Sequence, residues 1–518
     1  MDHKPRVAII GAGLTGLIAI KQCLAADLQP VCFEQSDHTG GLWRYTDVSS
    51  QNQNPHSSVY RSTIINTSKE HMPFSDFPIP DDWPTYLPHY KVSEYGDLYA
   101  DNFNLWPHIR FETTVLNASM IPETKKWKIV FKKKEGGKEE EEFDYVMVCT
   151  GHHSSPRLPN YQGMETFPGK QMHSHFYREA FAYTGKRVVV VGVGNSGMDI
   201  SVELSHIASQ VYVVSRRGTL PWILPRRTLF GRPFDHLNSR FQGMLPRFIT
   251  NWLVRQIVSL TIGLPPEHLR SQHPFSAAHP TMKSDFLERL STGTIEVKPD
   301  ILALTTDGSV TFVDNTIVDN IDAIIYCTGY NNEVHFVDKE VVNGGNIVRK
   351  NFEEGEYREN ITWLYKFMFP PRWNNIAFLG FVQPVGALMP LCELQARYVT
   401  ALIKGEIPPL PSPEEMDKHI MAYHDRNRKQ FYEAARHTME IELRPYCDSI
   451  AKEIGCYPTL TKVLWKFGFE IWKLVLFGVP TPMHVSVFLK KIVDNVWAVA
   501  DKGILLMAFA FSVSIVGT

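Results

Sequence analysis

Two short stretches constrain this chain more than anything else in it. The first is Val7-Ala8-Ile9-Ile10-Gly11-Ala12-Gly13-Leu14-Thr15-Gly16, and the second is Val188-Val189-Val190-Val191-Gly192-Val193-Gly194-Asn195-Ser196-Gly197. In each, an apolar run enters a G-x-G-x-x-G turn. Apolar residues then resume, from Leu17 to Leu24 in one case and at Ile200, Val202 and Leu204 in the other. This pattern reads as a buried strand turning sharply into a helix. The first glycine permits the turn, the second lets a pyrophosphate approach the backbone, and the third lets the helix pack on the strand. The amides at the helix N-terminus are then available to phosphate oxygens. A chain with two such units is expected to be an α/β protein with two Rossmann-like dinucleotide-binding domains.

The strands that follow end differently. Pro30-Val31-Cys32-Phe33 runs into Glu34, 18 residues after Gly16, where an acidic side chain takes a ribose 2′-hydroxyl. Val211-Tyr212-Val213-Val214 runs into Ser215-Arg216-Arg217, and an arginine there suits the 2′-phosphate of NADP. One unit is therefore expected to bind a dinucleotide with a free ribose and the other to bind NADPH.

Other segments set the organisation. Pro73 to Pro88 is proline-rich and irregular. Trp127 to Phe131 alternates as a strand, and the charge run Lys132 to Glu142 reads as a solvated hairpin tip. Val146-Met147-Val148-Cys149-Thr150-Gly151 and Ile324-Ile325-Tyr326-Cys327-Thr328-Gly329 are alike and are expected to carry the chain between the two nucleotide domains. Residues 218–292 do not continue a Rossmann pattern and read as an inserted helical and irregular segment. Residues 376–386 are expected to form a strand entering a glycine turn, and Leu391 to Ile403 a helix. The domains expected are residues 1–155 with 327–459 around the first dinucleotide, 156–326 around the second, and a membrane-associated region, 460–518. In that last region Val463, Leu464, Phe467, Ile471, Leu474 and Val475 fall at helical spacing, and Gly503 to Gly517 carries no charge.

Composition excludes several classes. A net charge of −2, with 21% charged residues, argues against nucleic acid as a partner. The seven cysteines are scattered without any C-x-x-C pair, so reduced thiols in a cytosolic compartment are expected, with no metal site. The first strand begins within six residues of Met1, which leaves no room for a targeting peptide.

Between the two units lies Phe167-Pro168-Gly169-Lys170-Gln171-Met172-His173-Ser174-His175-Phe176-Tyr177, an F-x-G-x-x-x-H-x-x-x-Y segment whose histidine is expected to be structural. Together with both glycine turns, Asn66-Thr67-Ser68-Lys69-Glu70, Gly380-Phe381-Val382-Gln383 and Phe477-Gly478-Val479-Pro480-Thr481-Pro482, it resembles the flavin-containing monooxygenases, in their microsomal, vertebrate-type branch. The chain departs from that pattern at Cys327, where alanine is usual, and at Ile65, where polar residues are common. The resemblance implies FAD in the first unit and NADPH in the second. NADPH reduces the flavin, the flavin takes up O2 as a C4a-hydroperoxide, and a soft amine nitrogen or sulfide sulfur attacks the distal oxygen. It further implies that Gly11, Ala12, Gly13, Leu14, Thr15, Gly16, Glu34, Leu42, Trp43, Asn66 and Thr67 contact FAD, with Gln383 facing the flavin. Gly192, Gly194, Asn195, Ser196, Gly197, Asp199 and Arg216 serve NADPH, and Asn66 is the catalytic, hydrogen-bonding residue shared by both cofactors.

The partners expected are a small amine or sulfide, O2 and membrane lipid, and homo-oligomerisation is compatible with the sequence. The location expected is the endoplasmic reticulum membrane, with the catalytic domains facing the cytosol. Three other classes compete. A Baeyer–Villiger monooxygenase acting on ketones has tryptophan where Tyr177 stands. A flavin disulfide reductase needs a cysteine pair near the flavin, and no cysteine lies between Cys32 and Cys149. A non-enzymatic flavoprotein would have little use for both glycine turns.

Overall fold

The computed structural model describes residues 4–48, 56–228, 230–431 and 437–478. Its frame is a pair of five-stranded parallel sheets. In the first, the strands run in the order Ile376–Phe378, Tyr145–Val148, Arg6–Ile10, Gln29–Phe33, Ile109–Arg110. In the second, the order is Ile295–Lys298, Gln210–Val214, Arg187–Val191, Ala323–Tyr326, Lys170–His173. Each glycine turn leaves the C-terminal end of a strand whose two neighbours lead to opposite halves of its sheet, the topological switch point where α/β sheets bind ligands.

Both central strands are almost wholly buried, with burial on both faces making them continuous apolar runs. In the first unit, Leu17, Ile18 and Ile20 of helix Leu14–Ala25 pack with Val7 and Ile9 and with Leu394 and Ala396 of helix Met389–Ile403. The other face, through Ala8, Ile10 and Phe33, packs on Trp127, Ile129, Phe131 and Phe143 of a three-stranded antiparallel sheet. Its strands Trp127–Lys133 and Lys138–Phe143 pair across the charged turn expected from the sequence. The second unit repeats this plan: helix Asn195–Leu204 covers one face, and the strands Ile301–Leu304, Val310–Phe312 and Ile317–Val318 cover the other.

The chain passes between the units twice, and the two passages pair antiparallel, Tyr330 with Pro156 and Asn331 with Ser155.

Three expectations need correction, and the sequence leaves the conformation of one further segment, 170–173, open. The stretch 376–386 is two short strands, Ile376–Phe378 and Gln383–Pro384, because Gly380 at φ +74° turns the chain between them. Lys170–His173 is an edge strand of the second sheet. The segment 218–292 is not wholly an insertion: its final helix, Asp285–Ser291, puts Phe286 and Leu287 into the second core beside Met198 and Ile200 and leads into strand Ile295–Lys298. It is therefore the crossover helix of the second unit, and the inserted part ends near residue 284. Finally, Leu460–Phe477 is broken at Gly468, whose φ of +80° is non-helical. Val463, Val475 and Leu476 are buried, whereas Leu464 and Leu474 are exposed, so the expected apolar face is split. Among the described residues no helix is long and apolar enough to cross a membrane. The uncharged stretch 503–517 lies outside the described residues.

Candidate functional site

The same steric logic builds both glycine turns. A Cβ on Gly11, at φ +101°, would stand 2.8 Å from the Cys149 carbonyl oxygen. One on Gly192, at φ +114°, would stand 2.5 Å from that of Cys327. Cβ atoms on Gly16 and Gly197 would fall 1.9 and 2.0 Å from the carbonyl oxygens of Gly11 and Gly192. These four glycines are required by the fold.

The middle glycines differ. Gly13 and Gly194 have ordinary negative φ. A Cβ on Gly13 would touch only the Cα of Gly41, at 3.7 Å, and the nitrogen of that residue at 4.0 Å, while one on Gly194 would meet nothing within 4 Å. They are the N-caps of helices Leu14–Ala25 and Asn195–Leu204, and neither helix has a side-chain cap. Free amides at a helix N-terminus with open space beside them suit a pyrophosphate, so the residues present fit a dinucleotide at each turn.

Glu34 is buried at the end of its strand, accepting hydrogen bonds from Ala12 N at 2.7 Å, Ser36 N at 2.9 Å and Ser36 Oγ at 2.7 Å. The turn Gly41–Trp43 follows and lies against Gly13.

Between the C-terminal ends of the two sheets lies a cleft of about 700 Å3. From the first unit it is lined by Leu42, Trp43, Asn66 and Gln383, and from the second by Gly192, Gly194, Asn195, Ser196, Asp199 and Arg216. Gly11, Ala12, Gly13, Leu14, Thr15, Gly16, Gly197, Glu34 and Thr67 are not part of that lining. Two residues expected to serve NADPH are engaged within the protein. Asn195 Oδ1 accepts from Met282 N at 3.3 Å. Asp199 accepts from Tyr60 Oη at 2.9 Å and stands 3.5 Å from Lys283 Nζ. Burial raises the Asp199 pKa, opposed by Lys283 and by the Tyr60 hydrogen bond.

The cleft also holds His152 and His153, stacked edge to face at 4.3 Å, which sequence reasoning missed. Their position directly after Thr150-Gly151 was the available signal. Burial pushes His152 down to about 4, so its ring is neutral at pH 7, whereas His153 is exposed. His173, of the F-x-G-x-x-x-H-x-x-x-Y segment, is likewise buried, with its pKa pushed down to about 4, and its Nδ1 accepts from His175 N at 3.1 Å. Phe167 and Tyr177 are buried in the two faces of the second unit. A Cβ on Gly169 would clash with the Phe167 ring and the Ile321 carbonyl. The segment is a packing element of the second sheet.

Two glycine turns with uncapped helix N-termini, one followed by a carboxylate and one by an arginine, define a two-dinucleotide oxidoreductase, and the second turn lines a cleft that Leu42, Trp43, Asn66 and Gln383 of the first unit also line. Residues 4–506 match the flavin-binding monooxygenase-like family, and the chain belongs to it. It is 37% identical to the rabbit (Oryctolagus cuniculus) flavin-containing monooxygenase 5 over 491 residues, 92% of this chain and 88% of the relative. It is also 37% identical to the human (Homo sapiens) flavin-containing monooxygenase 2 over 474 residues, 89% and 84% of the two chains. Among solved structures it resembles the S-allyl-L-cysteine S-oxygenase of Allium sativum, with a TM-score of 0.65 and 25% identity over 97% of this chain and 99% of that one. The NADP+-bound cyclohexanone monooxygenase of Rhodococcus shares the fold, with a TM-score of 0.62 and 18% identity over 88% and 98%. The protein is an NADPH-dependent flavin monooxygenase with FAD and NADPH as its cofactors.

Proposed function

We propose that this enzyme oxygenates soft nucleophilic nitrogen or sulfur atoms of small molecules, with FAD along Gly11–Gly16, Glu34, Leu42, Trp43 and Thr67 and NADPH along Gly192–Gly197, Asp199 and Arg216. The observation that carries this reading is the cleft that Asn66 and Gln383 of the first unit line together with the second glycine turn. FAD and NADPH supply hydride transfer and O2 activation when bound. The chain's own part is to hold them, exclude water and donate hydrogen bonds. Asn66 donates through its amide, and His152 in the same cleft is a neutral imidazole. The relatives' printed names support the acceptor class: one reads dimethylaniline monooxygenase, N-oxide-forming, and one solved neighbour is an S-oxygenase.

The test is NADPH consumption by the purified holoenzyme with a tertiary amine, a thioether and a ketone, with products identified. N-oxide or sulfoxide formation is expected. Ester formation from the ketone alone would replace this reading with Baeyer–Villiger chemistry.

A membrane-bound location at the endoplasmic reticulum, with cytosolic catalytic domains, belongs to the same proposal. It is supported by aromatic side chains left in solvent on two helices: Trp465 and Phe469 on Leu460–Phe477, and Phe248 and Trp252 on Arg247–Thr261. The rings of Phe241 and Phe477 meet at 5.0 Å, joining the insertion to the C-terminal helix. Lys462, Lys466 and Lys473 are exposed beside them, where ammonium groups can reach lipid phosphates. Full-length protein that remains soluble and monodisperse in high salt without detergent would sink this part.

A further inference from the structure

The inserted segment grips the loop that carries Asn66 at three successive points. Arg226 Nη1 donates to the Ile65 carbonyl at 2.9 Å, Ser68 N donates to Asp235 Oδ2 at 2.7 Å, and His236 Nε2 lies 3.3 Å from Glu70 Oε2. At the far end of this seam His71, Asp235 and His236 each turn one potential ligand atom to a common point, all within 4.8 Å of one another. The two imidazole rings stand 5.7 Å apart, tilted by 57°.

Two features of this cluster are not explained by the protein's own hydrogen bonds. His71 is only 7% exposed, and its Nε2 is buried without a partner. Asp235 Oδ1 is also buried without a partner, although Oδ2 is engaged by Ser68 N. A buried carboxylate oxygen and a buried imidazole nitrogen left unpaired are costly, and an ion between them is one standard resolution. We propose that His71, Asp235 and His236 bind a divalent cation of the zinc class, which staples the insertion to the loop carrying Asn66.

The donor set fits that choice. Two imidazole nitrogens and a carboxylate oxygen suit zinc, whereas magnesium and calcium take oxygen donors. With metal–ligand bonds of about 2.1 Å in a tetrahedron, ligand atoms sit roughly 3.4 Å apart, so atoms now within 4.8 Å of one another have to close by up to about 1.4 Å. Glu70 adds a second carboxylate beside His236. Asp235 and His236 are held by helix Phe234–Leu237, whose Phe234 is buried in the insertion's own core with Val254 and Val258. His71 sits in the other wall, three residues beyond Ser68. The cation would thus lock two separately anchored segments.

The experiment uses full-length, flavin-loaded protein in detergent, stripped with a chelator and titrated with Zn2+ by calorimetry, with Co2+ absorption as a second probe. Wild type is expected to take up one Zn2+ per chain and to gain protection of residues 218–284 from proteolysis. His71→Met and His236→Gln should each weaken Zn2+ at least tenfold and abolish the protection, with flavin content unchanged. Asp235→Asn is the volume-matched alternative if either variant folds poorly. No stoichiometric uptake by wild type, or equal uptake by wild type and both histidine variants, would overturn the proposal. None of these readouts depends on turnover, so failure here leaves the oxygenation reading untouched.

Discussion

Gly194→Ala separates what the fold needs from what the cofactor needs. Gly194 has φ −77° and ψ −175°, which any L-residue adopts, and its added Cβ meets no protein atom within 4 Å. The folded protein should therefore accept the methyl, and the lower entropy of the unfolded chain should stabilise it by about 0.4–1 kcal/mol. The same methyl occupies the space beside the uncapped amides of helix Asn195–Leu204, where the NADPH pyrophosphate is proposed to sit. Losing one charge-assisted hydrogen bond there costs about 1.5–3 kcal/mol, roughly a 10- to 100-fold rise in the KM for NADPH. The assay is flavin reduction by stopped flow across NADPH concentrations, paired with a thermal melt. Gly197→Ala is the control of opposite kind: its Cβ would lie 2.0 Å from the Gly192 oxygen, so it should unfold the second unit. A Gly194→Ala enzyme whose melting midpoint is no lower than that of wild type and whose KM lies within about twofold of it would refute the placement of the pyrophosphate.

Three further outcomes are expected. Replacing Arg216 with alanine should raise the KM for NADPH at least about tenfold and leave NADH almost unaffected, since a charged contact to the 2′-phosphate is worth about 1.5–3 kcal/mol; equal effects on both nucleotides would count against it, and the Arg216→Ala/Arg217→Ala double variant checks for compensation. Asn66→Asp exchanges an amide donor for an acceptor, so flavin reduction should persist while H2O2 release per NADPH rises and product falls; unchanged coupling would remove Asn66 from the oxygen step. Burial lowers His152, His173 and His424 from 6.5 to about 4, so their neutral forms stabilise the fold fully above pH 6.5 and this contribution is lost as pH falls from 6.5 towards 4. Each histidine costs up to about 1.4 kcal/mol per pH unit in that window, and melts that show the same midpoint at pH 7 and pH 5 would contradict it.

The parallel sheets were legible because their strands are continuous apolar runs and their turns need glycine for steric reasons that any such unit shares. Helix Asp285–Ser291 was not legible, since the seven-residue crossover comes after a long excursion and its buried Phe286 and Leu287 make too short a pattern to stand out. The break at Gly468 is a backbone event, and apolar spacing across it reads as one helix whatever φ the glycine adopts. In the cleft, the glycines and Arg216 were found from local motifs. Tyr60, Lys283 and the cluster of His71, Asp235 and His236 join segments far apart in sequence, so no local spacing could announce them. Asp199 was found, but its engagement by Tyr60 belongs to the tertiary structure.

That engagement bears on how Asn66 can act. Residues 56–71 belong to the chain of the first unit and are anchored on both: Ile65 N donates to the Leu87 carbonyl at 2.9 Å and Lys69 N to the Thr85 carbonyl at 2.7 Å within the first, and other contacts reach the second. Tyr60 is buried in the second unit's core beside Tyr177 and donates to Asp199, and Ser62 Oγ donates to Glu203 at 2.8 Å. On either side of Asn66 the insertion adds contacts, through Arg226 to Ile65 before it and through Asp235 and His236 to Ser68 and Glu70 after it. The direct backbone pairing between the passages, Ser155–Pro156 with Tyr330–Asn331, is only two residues long. Asn66 therefore sits on a loop tied to both units, with Ile65 held by the Leu87 carbonyl and by Arg226, and Ser68 and Lys69 held by Asp235 and by the Thr85 carbonyl. A shift of one unit against the other has to break one of these two sets of contacts, so the loop that presents Asn66 resists motion between the units.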